Sequence, residues 1–98
     1  MGNADRQYKR NGSYTARWSE PLQMFVAERM IPDGPMGWNP FDEVFEISGE
    51  TYDQFDAPGF DPAAHLIRPL YCTRAEYNRT PESQALYNKC KEFRRQHK

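Results

Sequence analysis

The chain has 98 residues, of which 38% are hydrophobic, 14% aromatic and 28% charged, and its formal net charge is −1. This length allows one small domain that buries about two thirds of its unfolded surface. No apolar run approaches the roughly 18–20 residues needed to span a bilayer, and no hydrophobic stretch of signal-peptide type opens the chain, so a soluble or peripheral protein is expected. Branched aliphatic residues are few and thinly spread while aromatics are numerous, a balance that suits contact surfaces better than a self-sufficient core. Gly2 meets one requirement of N-myristoylation, but Arg6 stands where Ser or Thr is favoured.

Charge falls in three blocks. Residues 1–29 carry five Lys or Arg against three Asp or Glu, and residues 68–98 carry eight against three. Between them lie eight acids (Asp33, Asp42, Glu43, Glu46, Glu50, Asp53, Asp56 and Asp61) with no Lys or Arg. Either the basic ends fold back onto the acidic middle, or the middle faces a basic partner.

In chain order, residues 1–18 read as an irregular arm with a turn at Asn11–Gly12 and with Tyr8, Tyr14 and Trp18 as anchors. "SEPLQMFVAERM" predicts a helix within residues 19–31: Ser19 caps, Pro21 sits in the first turn, and Leu22, Phe25, Val26 and Met30 follow at helical spacing. Pro32, Gly34 and Pro35 end it. Residues 32–60 alternate aromatics with acids between Gly and Pro, which predicts an extended acidic segment laid across a partner. Within it "FDEVFEI" fits a short strand or one helical turn equally well. Residues 61–98 predict a helical hairpin: Asp61–Pro62 start a short helix, Thr73 and Glu76 form a capping-box pattern, and Thr80–Pro81–Glu82 begin a last helix to about Gln96. The expected fold is therefore mostly α with long irregular segments and no independent large core.

In such a hairpin Cys72 and Cys90 are equidistant from Pro81 and face each other across antiparallel helices, which predicts a disulfide. Two buried free thiols are the alternative. The segments "YCTRAEYN" and "LYNKCKEFRRQ" resemble half of the cysteine-linked helical hairpins of mitochondrial intermembrane-space proteins, and in particular the PDSW-type accessory subunit of respiratory complex I. The cysteines here are more widely spaced than in the twin motif, and there is one pair where that motif has two. The resemblance implies a non-catalytic accessory subunit, bound peripherally on the intermembrane-space side of the inner membrane among other protein subunits.

No catalytic, cofactor or metal site is expected. Cys72, Cys90, His65 and His97 lack the close ligand pairs of zinc sites. Neither cysteine has a local base, and Asp42 and Glu43 are adjacent and so diverge on a helix or strand. Gly34 and Gly37 precede no phosphate-binding helix. The basic run "KCKEFRRQHK" is a weak footprint for nucleic acid, which is not expected as a partner. Asn11 and Asn78 begin sequons that lack a secretory context. The expected partner-binding residues are Trp18, Phe25, Trp38, Phe41, Phe45, Tyr52, Phe55 and Phe60. The alternative function is a free-standing acidic binding or inhibitory module acting on a basic protein or nucleic-acid-binding site.

Overall fold

The Ser19–Pro21 start signal makes a single turn and no helix. The Leu22 amide donates to Ser19 Oγ at 3.4 Å, and the Gln23 amide donates to the Ser19 carbonyl at 2.8 Å. Gln23 then takes a φ of 55°, a left-handed conformation that reverses the chain. Met24–Ile31 leaves this turn as a strand, paired antiparallel with Tyr14–Ser19 before it, and Tyr14–Ser19 pairs with Lys9–Asn11 across a Gly12–Ser13 turn in which Gly12 has φ 62°. Phe41–Glu46 and Arg68–Cys72 complete the sheet. These strands, β1 (Lys9–Asn11), β2 (Tyr14–Ser19), β3 (Met24–Ile31), β4 (Phe41–Glu46) and β5 (Arg68–Cys72), lie side by side in chain order, every pair antiparallel. The computed structural model describes residues 8–37 and 39–97.

Two helices cover opposite faces of the sheet. α1 (Gly49–Gln54) is capped by Ser48, whose Oγ accepts from the Thr51 amide at 3.0 Å, and it presses Tyr52 onto Phe25 with ring centroids 4.6 Å apart. Asn11 Nδ2 fastens the segment behind α1 by donating to the carbonyls of Phe55 and Phe60, both at 2.9 Å. Ala16, Ala27, Ile47, Tyr52 and Phe55 form the core on this side. α2 (Pro81–Gln96) begins with a Thr80–Ser83 capping box and packs on β5. Its Cys90 joins Leu22, Val26, Val44, Leu70 and Tyr71 in the second core. A bulge opposite Val44/Phe45 allows consecutive Leu70 and Tyr71 both to enter that core, where strict alternation would expose one of them.

These elements overturn the mostly helical expectation. The arm at 9–18 is β1 and β2, the helix at 19–31 is a turn plus β3, and the extended acidic segment at 32–60 contains β4 and α1. Only the second arm of the hairpin at 61–98 is a helix; its first arm is one 3₁₀ turn (Pro62–His65), then β5, then a second 3₁₀ turn (Ala75–Tyr77). Two buried clusters replace the missing core, and the radius of gyration of 13.7 Å is close to the roughly 13 Å of a self-folded chain of this length. No helix among the described residues is long and apolar enough to cross a membrane.

The cysteine expectation falls with the hairpin. Cys72 faces Glu43 on the α1 side of the sheet, whereas its neighbour Tyr71 and Cys90 lie together on the α2 side, so the sheet separates the thiols and both are free. The charge blocks resolve in favour of ends folded onto the middle. Arg29 pairs with Glu43 at 2.6 Å, Arg68 with Glu46 at 2.8 Å, Lys9 with Asp56 at 3.9 Å, and Arg74 with Asp33.

Candidate functional site

On the α2 face, alternation along β2, β3 and β4 places Arg17, Glu28 and Asp42 on the same side as Val26, Val44 and Tyr71. α2 packs over β5 and leaves these polar side chains at the bottom of a cleft of about 470 Å³ between the sheet and its C-terminal half. Tyr71 from β5, Cys90 and Phe93 from α2, and Tyr8, Trp18 and Thr73 also line it.

Arg17 Nε donates to Glu28 Oε1 at 3.0 Å, and both side chains are about one fifth exposed. Burial works to lower the guanidinium's pKa, and the Glu28 carboxylate more than offsets it, so the pKa is raised and the pair stays charged. The Tyr71 hydroxyl lies against the Cys90 thiol and the Arg17 guanidinium. Burial pushes its pKa upward, followed by the influence of Cys90, so Tyr71 is a neutral phenol at any physiological pH. Neither side chain is poised as a nucleophile or base: one is a fixed cation already paired, the other a firmly held proton.

Asp42 differs from both. Its backbone is held on two sides, with the amide donating to Thr73 Oγ1 at 2.8 Å and the carbonyl accepting from the Thr73 amide at 2.9 Å. Its carboxylate makes no hydrogen bond or ion pair with any described residue, and its pKa is raised by burial first and the Glu28 charge second, against the attraction of Arg17. Asp42 and Glu43 do diverge as adjacent strand residues must, Glu43 pointing to Arg29 on the opposite face. A rigid, partly desolvated carboxylate with aromatic neighbours is chemically a receptor for a hydrogen-bond donor or a cation.

The aromatic residues expected to anchor a partner are mostly spent inside the fold. Tyr52 and Phe55 are core, with Phe55 0% exposed. Phe25 is half-buried between Trp18, edge-on at 5.0 Å, and Tyr52. Trp18 is half-buried at the cleft end and its Nε1–H donates to Glu20 at 3.0 Å. Phe60 packs between Phe55 and His65, and Phe45 is a half-buried member of β4. Phe41 stacks on Tyr77 at 4.7 Å with the Arg74 guanidinium over the pair, clamping the start of β4 to the connection before α2. Trp38 lies outside the described residues. Of the expected residues that are described, only Trp18 lines the cleft. Arg17, Glu28, Asp42 and Tyr71 escaped sequence reasoning because they converge only once four strands are aligned; the available signal was the alternation of "YTARWS" and "FDEVFE".

No protein-family model, no curated protein and no solved structure matches this chain.

Proposed function

We propose that this chain is a non-catalytic protein-binding subunit that docks onto a larger assembly through the cleft between its sheet and α2. The observation that supports this reading is Asp42: a carboxylate held on a rigid strand, partly desolvated, and lacking a partner among the described residues. The attraction of Arg17 does not offset its burial and the repulsion of Glu28, so leaving it without a direct partner costs stability that a bound partner restores. The sheet suits it for the role, since both faces are packed and a firm frame loses little entropy on binding. The setting we propose is peripheral attachment to an inner-membrane respiratory complex; its support is the local sequence resemblance of "YCTRAEYN" and "LYNKCKEFRRQ" alone, because the first segment forms β5 and a 3₁₀ turn here and the two cysteines are free.

An acidic decoy module has less support, because Asp33, Glu43, Glu46 and Asp56 are engaged by the protein's own cations. Native extracts of the source cells test the proposal. The chain should migrate in native gels or gradients with an assembly far larger than its own 11.5 kDa. Asp42→Lys should release it while the purified variant retains its fold. Migration of the unaltered chain as a free monomer overturns the reading.

A further inference from the structure

Resting on that docking reading, we infer that the occupant of the cleft is an arginine side chain of the partner protein. The cleft carries three carboxylates, Glu20, Glu28 and Asp42, against two guanidiniums, Arg17 and Arg94. Glu28 is taken by Arg17 at 3.0 Å, and Glu20 accepts from Trp18 Nε1 at 3.0 Å and from Gln23 Nε2 at 3.3 Å. Asp42 is left over, and one incoming positive charge brings the lining to neutrality. An anion meets the opposite situation: Arg17 is already engaged by Glu28, Arg94 alone is left to attract it, and Asp42 repels it. A neutral group displaces water from an ionised carboxylate without compensating it, which costs more than its contacts return.

The shape of the site selects among cations. At about 470 Å³ the cleft falls within the roughly 300–1,000 Å³ range of ligand sites, and it admits a whole extended side chain. Its Phe93 wall offers an aromatic surface to a planar cation, and Asp42 offers a carboxylate on a backbone held by two hydrogen bonds to Thr73. A guanidinium uses both, stacking its face while its edge donates in a fork to Asp42. It also sheds water more readily than an ammonium. The raised pKa of the Asp42 carboxyl accords with this, since a carboxylate that ionises reluctantly gains most from a cation.

The test is an amide-shift titration of the full chain with N-acetyl-arginine amide, N-acetyl-citrulline amide as its neutral isostere, and N-acetyl-lysine amide. The arginine compound should produce saturable shifts at Asp42, Thr73 and Phe93. Citrulline should bind at least about tenfold more weakly, as expected for loss of one charge-assisted hydrogen bond, and lysine should fall between. Asp42→Asn should abolish the preference for arginine over citrulline. The citrulline comparison uses the unaltered protein, so it decides the matter even if the variant folds poorly. Equal binding of arginine and citrulline, shifts located elsewhere, or no saturable shift with arginine each overturn the inference. If arginine fails to bind but Asp42→Lys still releases the chain from its assembly, the occupant is wrong and docking through the cleft stands. If arginine binds but Asp42→Lys stays in the assembly, the cation site stands and the docking reading falls.

Discussion

Asn78 serves as a substitute neighbouring strand for Cys72. The Asn78 Oδ1 accepts from the Cys72 amide at 2.6 Å and Nδ2 donates to the Cys72 carbonyl at 2.8 Å, satisfying the two backbone groups that β5 turns away from β4. An edge strand with free groups invites pairing with another chain, and Pro69 in the same strand has no amide hydrogen to offer. Asn78 thus caps the outer edge of β5 at Cys72.

Asn78→Ala should therefore destabilise the protein by about 1–3 kcal/mol, the range for two part-buried hydrogen bonds lost together. Asn78→Asp should also be destabilising, because a carboxylate accepts from the Cys72 amide but cannot donate to its carbonyl. Urea unfolding of the three proteins checks the ranking. Sedimentation at increasing concentration should show self-association in the Ala variant alone.

The thiols offer a direct check on the sheet that separates them. Alkylation of the native protein without reductant should label Cys72, which is half-buried, much faster than Cys90, which is 5% exposed. Burial and the Glu43 carboxylate raise the Cys72 pKa, so its labelling should be slow at neutral pH and accelerate in alkali. In denaturant without reductant both should react, and intact mass should show two adducts. A mass two hydrogens lower, with no adducts, identifies a disulfide and refutes this arrangement.

Phe55 and Phe41 separate packing from docking. Phe55→Ala should cost about 3–5 kcal/mol, the usual range for emptying a fully buried phenylalanine site. Phe41→Ala should cost less than half as much, since its ring is only half-buried, and should loosen the connection around Tyr77 by removing the ring that Tyr77 stacks on, while Arg74 keeps its pairing with Asp33. Thermal unfolding measures the first effect, and amide exchange across residues 73–78 measures the second.

Much of this was hidden for a physical reason. In Met24–Ile31 both faces of the strand are covered in mid-sheet, so Phe25, Val26 and Ala27 are consecutive apolar residues and the period of two vanishes. The same residues fit a helical stripe, and Ser19 with Pro21 supplies an authentic capping signal that Gln23 cuts off after one turn. Where no such ambiguity existed the sequence was readable: the Gly12 turn and the Thr80–Pro81 start of α2 stand where local chemistry places them. "ISGETY" held a usable Ser48 cap for α1 that the surrounding acids and aromatics obscured. The site was least legible, because Arg17, Glu28 and Asp42 come from three strands and none is unusual by itself.

Asp42 also predicts how stability responds to pH. Its folded pKa is raised above the ordinary 3.8, so the folded state holds this proton more tightly than the unfolded chain does. The group's contribution favours folding in acid and is lost as pH rises through its folded pKa, leaving a constant penalty at neutral pH. Asp42→Asn should accordingly be more stable than the unaltered protein at pH 7, and the gap should close below pH 3.8. Unfolding free energies of the two proteins across that interval check the sign. A gap that widens in acid contradicts it.

The strand order β1-β2-β3-β4-β5 sets how the chain reaches this state. Each strand finds its neighbour next along the chain, and α2 settles on β5, the strand immediately before it. Apart from residues 47–67, which carry α1 between β4 and β5, the connections closed along the way are short, so little search is required before native contacts begin to offset it. Assembly can then proceed outward from the β2–β3 hairpin, and on a ribosome the sheet can form strand by strand as residues emerge. α2 contributes Cys90 to the second core and Cys90, Phe93 and Arg94 to the lining of the cleft, so the cleft exists only once α2 is on the sheet. Under the proposed docking reading, a nascent chain whose α2 has not yet emerged lacks the surface that a partner would bind.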